Sequence, residues 1–385
     1  MSQNTLNVTL FPQLTDQWCW AASGQMVMDY EGTSVSQCAQ ANQKFGMSDC
    51  CNSPTPSACV KPGFPQFQHW GFNSQQTASG TALTLAQLTS QFDLAQPVAY
   101  TWRWTSGGGH MMVARGVDTG TNMVYINNPA PPNQGDTKWI TYARYVSQSG
   151  VYTHGVDCYD ITKASSPTGA SSPPGSGPDP MTEDPASAPG GHDDPYGAAE
   201  EGLRLLPRLA TDDLAPELRG GSPAELRLSP PFRVRYVFRD PLAEREPGDD
   251  PLGLLEEVNE LLYPVLRGGE VAAAVRVVED EGAWVLKSVG EPNLARDLER
   301  VRADDSAASN TPPSDYLMVD VPSLYQVFVG RVDRARGLVL LALRDDSTRG
   351  FIRGDVAAGA ELLDRLVPDA RRARDTDSED GLLVP

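Results

Sequence analysis

Residues 164–191 are dominated by Pro, Ser, Gly and Ala with scattered acidic residues. Such a stretch has too little apolar surface to offset the entropy of ordering it. It divides the 385-residue chain, and whatever folds must fold on either side. The charge changes at the same place: 7 Lys+Arg stand against 9 Asp+Glu up to position 163, and 24 against 41 beyond it. Gln, Asn, Ser and Thr are prominent in the first part, whereas Arg, Leu, Asp and Glu dominate the last. The expected organisation is a domain over 1–163, a linker over 164–202, a second domain over 203–370 and a charged, mobile tail over 371–385.

The formal net charge of −19 argues against nucleic acid and anionic membrane surfaces as partners. No uninterrupted apolar run is long enough to span a bilayer. The first twelve residues have neither a basic nor an apolar segment, so no secretory signal is expected. All six cysteines, Cys19, Cys38, Cys50, Cys51, Cys59 and Cys158, lie in the first part. Their clustering suggests disulfides and an oxidising destination. No Cys-x-x-Cys repeat or nearby His pair suggests a metal site, and no cofactor is expected. If Cys19 is reserved for chemistry, five remain, so at most two bridges form and one thiol is left over. Export without a cleavable signal would reconcile disulfides with the N-terminus; otherwise the chain is cytoplasmic.

Trp20, Met26, Val27 and Tyr30 recur at helical spacing, so a helix is expected over residues 19–30. Residues 38–80 read as loop, and 83–92 as a short helix. Strands follow at 97–104, 111–117, 123–126, 139–142 and 154–161. In the second part the sequence predicts strands at 232–238, 316–321, 325–332 and 337–343 and a hairpin of 271–278 with 283–289. Helices are expected over 293–303 and 356–367. Asp250, Pro251 and the run Leu254, Leu255, Val258, Leu261, Leu262 predict a further capped amphipathic helix. The fold class is α+β on both sides of the linker, with the helix bearing Cys19 packed on an antiparallel sheet.

Three segments carry candidate chemistry. In the first, Gln13 stands six residues before Cys19, which is followed by Trp20, Ala21 and Ala22. A helix N-terminus favours a thiolate, and the thiolate is the nucleophilic form. A Gln amide can donate to an oxyanion beside the Cys backbone N–H. In the second, Gly107, Gly108 and Gly109 lead into His110. Glycines let the backbone pass close to a substrate, and an imidazole can take a thiol proton and later protonate a leaving amine. In the third, Asn127 and Asn128 precede Pro129. An amide oxygen there can fix the imidazole tautomer. Strand alternation allows only one of the two to reach His110; Asn128 is the first choice and Asn127 the second. His69, His154 and His192 lack such a context.

The Gln–Cys–Trp, Gly–Gly–His and Asn–Pro segments, in that order, resemble papain-like cysteine proteases over residues 7–161. The Cys-Trp-Ala-Ala form is similar to a compact bacterial branch that includes effector proteases of plant pathogens. Gln17 and Trp18 replace the Gly-Ser/Ala pair that precedes the Cys in the larger papain enzymes. That branch usually has Asp where this chain has Asn128. The resemblance implies a nucleophile Cys19, a base His110, an orienting Asn128 and an oxyanion donor Gln13, acting on protein or peptide through a thioester. No N-terminal pro-region is expected, so the acidic C-terminal part is a candidate intramolecular regulator. Two rivals stand beside this reading: an acyltransferase or deamidase on the same residues, and a non-catalytic peptide-binding module.

Overall fold

The computed structural model describes residues 3–164 and 191–380. Most of the expected linker lies outside the described residues. The first part consists of β1 (Gln3–Thr5), α1 (Cys19–Tyr30), α2 (Gln37–Phe45), β2 (Phe72–Gln76), α3 (Leu85–Asp93), β3 (Val98–Trp104), β4 (Gly109–Asp118), β5 (Met123–Asn128), β6 (Asp136–Thr141), α4 (Tyr142–Val146), β7 (Ser147–Gln148) and β8 (Tyr152–Lys163). The second consists of α5 (Pro195–Leu209), β9 (Leu226–Leu228), β10 (Phe232–Tyr236), α6 (Arg239–Glu244), β11 (Glu256–Arg267), β12 (Glu270–Asp280), β13 (Ala283–Gly290), α7 (Pro292–Ser309), β14 (Leu317–Val321), β15 (Gln326–Asp333), β16 (Gly337–Ala342), β17 (Val356–Ala358) and α8 (Gly359–Asp380). The fold is α+β on both sides of position 164.

Local chemistry sets several ends. Thr84 and Gln87 form a reciprocal capping box at the start of α3, and Ser36 caps α2, which stops at left-handed Gly46. Residues 38–45, expected as loop, are helical because this cap and stop bracket them. α1 buries Trp20, Met26 and Val27 and packs on β4. Burying each such side chain contributes about 1.5–3 kcal/mol.

The sheet is continuous across the chain. β2, β8, β3, β4, β5 and β6 pair in that order, and β6 then pairs with β13 through Ile140 opposite Ser288 and Trp139 opposite Val289. From β13 it runs on through β12, β11, β10, β14, β15, β16 and β17. Among the described residues only β10 with β14 is parallel. One apolar core holds Met111 and Val113 together with Phe232, Met318 and Val329, and a second holds Trp139 with Leu206, Leu209 and Val289. The two parts therefore share backbone pairing and core.

Four further local expectations are corrected. Residues 256–267 form strand β11, not a helix. Their leucines satisfy both periods, and ladders to β10 and β12 decide for strand. Pro264, which a helix would resist, sits in that strand opposite Ala274. The linker gives way early: His192 bridges Trp284, and α5 starts at Pro195, capped by Asp194. The chain is helical through Asp380 rather than a loose tail from 371. Strand β6 starts at Asp136, before the expected 139, because it pairs along its length with β5.

Candidate active site

The first residue of α1 is Cys19. Trp18, at the N-cap, offers no side-chain cap, so the amides of the first turn stay free to face an acceptor. The backbone amides of Met111, Trp20 and Cys19 lie close enough to the sulfur to favour its thiolate form. Two indoles hold this corner: Trp18 Nε1 donates to the Cys59 carbonyl at 2.8 Å, and Trp20 Nε1 to that of Lys61 at 3.3 Å. The strap they reach is stapled by the Cys38–Cys51 and Cys50–Cys59 disulfides, which leaves Cys19 and Cys158 as free thiols. Gly63 is required there, because a Cβ would stand 2.6 Å from the Trp20 ring.

His110 is the second residue of β4. The preceding turn uses Gly107 at φ +87° and Gly108 at φ +75°, a conformation that favours glycine. A Cβ on Gly107 would also collide with the Arg239 guanidinium. His110 Nε2 lies 2.7 Å from Asn128 Oδ1, which also accepts from the Ala130 backbone N–H at 3.0 Å. An oxygen with that second donor must accept from the imidazole, so Nε2 carries the proton. Nδ1 is buried without a partner. Trp104 stacks on the ring with centroids 6.5 Å apart. Asn127 faces the other way and donates to the Val8 carbonyl at 2.9 Å.

Gln13 is fully buried, and its Nε2 donates to the Thr15 carbonyl at 2.9 Å. That bond uses one of its two amide hydrogens. Its backbone is tied to the segment after Asn128 by Gln13 N–H to the Pro129 carbonyl at 3.0 Å and Asn133 N–H to the Gln13 carbonyl at 2.8 Å. The loop before Cys19 and the loop after Asn128 are thus braced together.

The sequence reading missed one member of this corner, Tyr325. Its hydroxyl lies 3.3 Å from Cys19 Sγ and 3.3 Å from the Gly109 carbonyl, and its ring centroid is 5.1 Å from that of His110. It comes from the turn between β14 and β15. No local motif betrays it, because its significance arises only when two distant segments meet.

Burial sets the protonation of the pair. Cys19 is 5% exposed and His110 4% exposed. Desolvation pushes the thiol up, against the Tyr325 hydroxyl and the three amides. It pushes the imidazole down to about 4, against the Asn128 bond and with the Lys138 charge. Both groups are therefore neutral at pH 7. The helix-tip effect expected to favour a thiolate is outweighed by loss of water.

A cavity of about 120 Å3 beyond His110 is lined by Trp102, Trp104, Asn128 and Tyr325 and by charged Lys138, Arg276, Lys287 and Glu291. On the other side of Tyr325 a groove of about 680 Å3 runs past Leu14, Thr15 and Asp16. The remaining histidines lie apart: His69 is exposed, His154 is buried beside Asp157 at 3.1 Å, and His192 pairs with Glu201 at 3.2 Å. Among the described residues, the one metal-type cluster is Asp49 with Cys50 and Cys59, and those cysteines are bridged to each other.

Residues 5–154 match the model of the Peptidase_C39 like family. No curated protein matches the chain. Among solved structures, the peptidase domain of Streptococcus ComA, a bifunctional ABC transporter involved in a quorum-sensing pathway, is 18% identical. That match covers 41% of this chain and 99% of the other at a TM-score of 0.27, a likeness that bears on neither fold nor activity. The family match spans the segment holding Cys19, His110 and Asn128.

Proposed function

We propose that the chain is a cysteine endopeptidase in which Cys19 is the nucleophile, His110 the base and acid, Asn128 the orienting residue and Gln13 an oxyanion donor. The observation that carries this reading is the 2.7 Å bond from His110 Nε2 to Asn128 Oδ1, on a ring in contact with the same tyrosine that touches the Cys19 sulfur. With Nε2 engaged, Nδ1 is the nitrogen left to take the thiol proton. Cys19 then attacks the scissile carbonyl, and the oxyanion is met by the Cys19 backbone N–H and the second amide hydrogen of Gln13. His110 returns the proton to the leaving amine and a thioester forms. Water, deprotonated by His110, attacks that thioester, and the acid product leaves with the thiol restored.

The substrate is a protein or peptide, as the family match supports. The second part of the chain serves as an accessory region built against the site. Comparing the full chain with Cys19→Ala on a proteome-derived peptide library tests the reading. Paired cleavage products from wild type and none from the variant support it. A mass gain of about one dalton on an intact peptide would instead mark deamidation, and equal products from both chains would refute the assignment of Cys19.

A further inference from the structure

The four-residue tip between β14 and β15, Pro322 to Tyr325, is the strongest unexplained feature. Val321 and Gln326 close the hairpin, and the tip between them projects onto the peptidase corner. Tyr325 lines both the cavity beyond His110 and the groove past Leu14 and Asp16. Its hydroxyl reaches the Cys19 sulfur and its ring packs on the His110 imidazole. A peptide laid against the sulfur and the imidazole would need the volume that this phenol fills.

The tip is held at a cost. Tyr325 has φ +54°, an uncommon conformation for a residue with a Cβ. Ser323 Oγ is buried without a partner. Beside it Arg349 bridges the two parts of the chain. It pairs with Asp16, three positions before Cys19, and with Asp346 at 2.6 Å and Asp369 at 2.7 Å. Pro322 and Leu324 anchor the tip in the core, whereas Tyr325 beyond them is only half-buried, so its ring can swing away while the anchor and the sheet stay intact.

We propose that this tip is a built-in stopper: with Tyr325 seated the peptidase is latent, and its withdrawal admits the peptide substrate. The inference rests on the peptidase reading above. The neutral state of both Cys19 and His110 accords with a resting site. The opposing use of the same contact, a tyrosine that donates to the reacting sulfur during catalysis, predicts the reverse response to mutation.

The test uses the full chain as wild type, Tyr325→Gly and Tyr325→Phe. Glycine suits the positive φ and removes the ring; phenylalanine keeps the ring and removes the hydroxyl. Two rates are read: alkylation of Cys19 by iodoacetamide, mapped by peptide mass spectrometry with Cys158 scored separately, and hydrolysis of a peptide library. The stopper predicts that Tyr325→Gly raises both by about tenfold or more, as expected from releasing one half-buried aromatic contact, with Tyr325→Phe in between. Unchanged or slower alkylation in a folded Tyr325→Gly chain overturns it, as does loss of hydrolysis in Tyr325→Phe. Faster alkylation without any hydrolysis would leave the stopper standing and remove the peptidase. Equal rates in wild type and Tyr325→Gly, with hydrolysis in both, would do the opposite. If Cys158 reacts as fast as Cys19, Tyr325→Gly has unfolded, and Tyr325→Phe decides: failure to speed alkylation of Cys19 overturns the proposal.

Discussion

Two buried groups of titratable side chains lie at or near the cavity beyond His110, and burial acts on them in opposite ways. On the peptidase wall, Cys19 and His110 have lost water and gained no charged partner. The thiol is pushed up, the imidazole is pushed down to about 4, and both are neutral. On the opposite wall burial also pushes Glu260 and Glu291 up, yet Lys287 and Arg276 hold the first at about 2 and Arg276 and Lys138 hold the second at about 2. Asp136 and Asp320, with burial as the largest influence, rise to about 7 and about 6. The lesson is that a low-dielectric site neutralises what it cannot pair and keeps charged what it can. The ion cluster keeps its charges because they are paired, whereas the Cys19 and His110 pair is held neutral.

Removing the partner should break the contrast most visibly. Glu260 accepts from Lys287 at 2.8 Å, Arg276 at 3.1 Å, Gln148 at 2.9 Å and Tyr236 at 3.1 Å. Glu260→Ala strands the buried Lys287 ammonium, while Arg276 keeps Glu291 at 2.7 Å, and should cost about 3–5 kcal/mol, measured by urea unfolding. A loss below about 1 kcal/mol would mean that water already reaches the cluster.

The neutral histidine sharpens the other side through pH. His110 has a folded pKa below its ordinary 6.5, so under acid conditions the unfolded chain binds a proton that the fold refuses. Its contribution is fully present above about pH 6.5 and is lost as pH falls toward about 4, by up to about 3 kcal/mol. The carboxylates titrate in part of the same window, so the check is a difference. The acid-induced loss of stability from pH 7 to pH 4.5 should be smaller in His110→Gln than in wild type. Equal losses would show that His110 is not held neutral.

Asn128→Ala removes the acceptor that fixes the ring. Turnover should fall by about a hundredfold through misorientation, with KM little changed, as read from steady-state kinetics. Asn127→Ala, which loses a bond to Val8, should instead lower stability and spare turnover in the chains that fold. The smallest effect belongs to the surface. Asp212 and Arg219 pair in the open, and Asp212→Asn should shift the unfolding free energy by no more than about 0.5 kcal/mol.

Much of the peptidase corner was legible in the sequence because its signals are local. The periodicity of Trp20, Met26, Val27 and Tyr30 gives α1 its observed bounds, Cys19–Tyr30. Strand alternation sets Asn128 toward the imidazole and Asn127 away from it. The cysteine count left room for two bridges, and the structure has two. What stayed hidden depends on partners far along the chain. Leu261 and Leu262 read equally as a helical face until β10 and β12 flank them. Nothing near Trp139 announces that β6 will pair with β13. Tyr325 looks like the first residue of a strand, and only its approach to Cys19 gives it meaning.

The central claim is that peptide hydrolysis runs through the sulfur of Cys19. Its most direct measurement follows hydrolysis by the full chain during stepwise alkylation, with the modified fraction of Cys19 mapped at each step. Activity should fall in proportion to that fraction and vanish when it is complete. Hydrolysis that persists with Cys19 wholly alkylated would contradict the account.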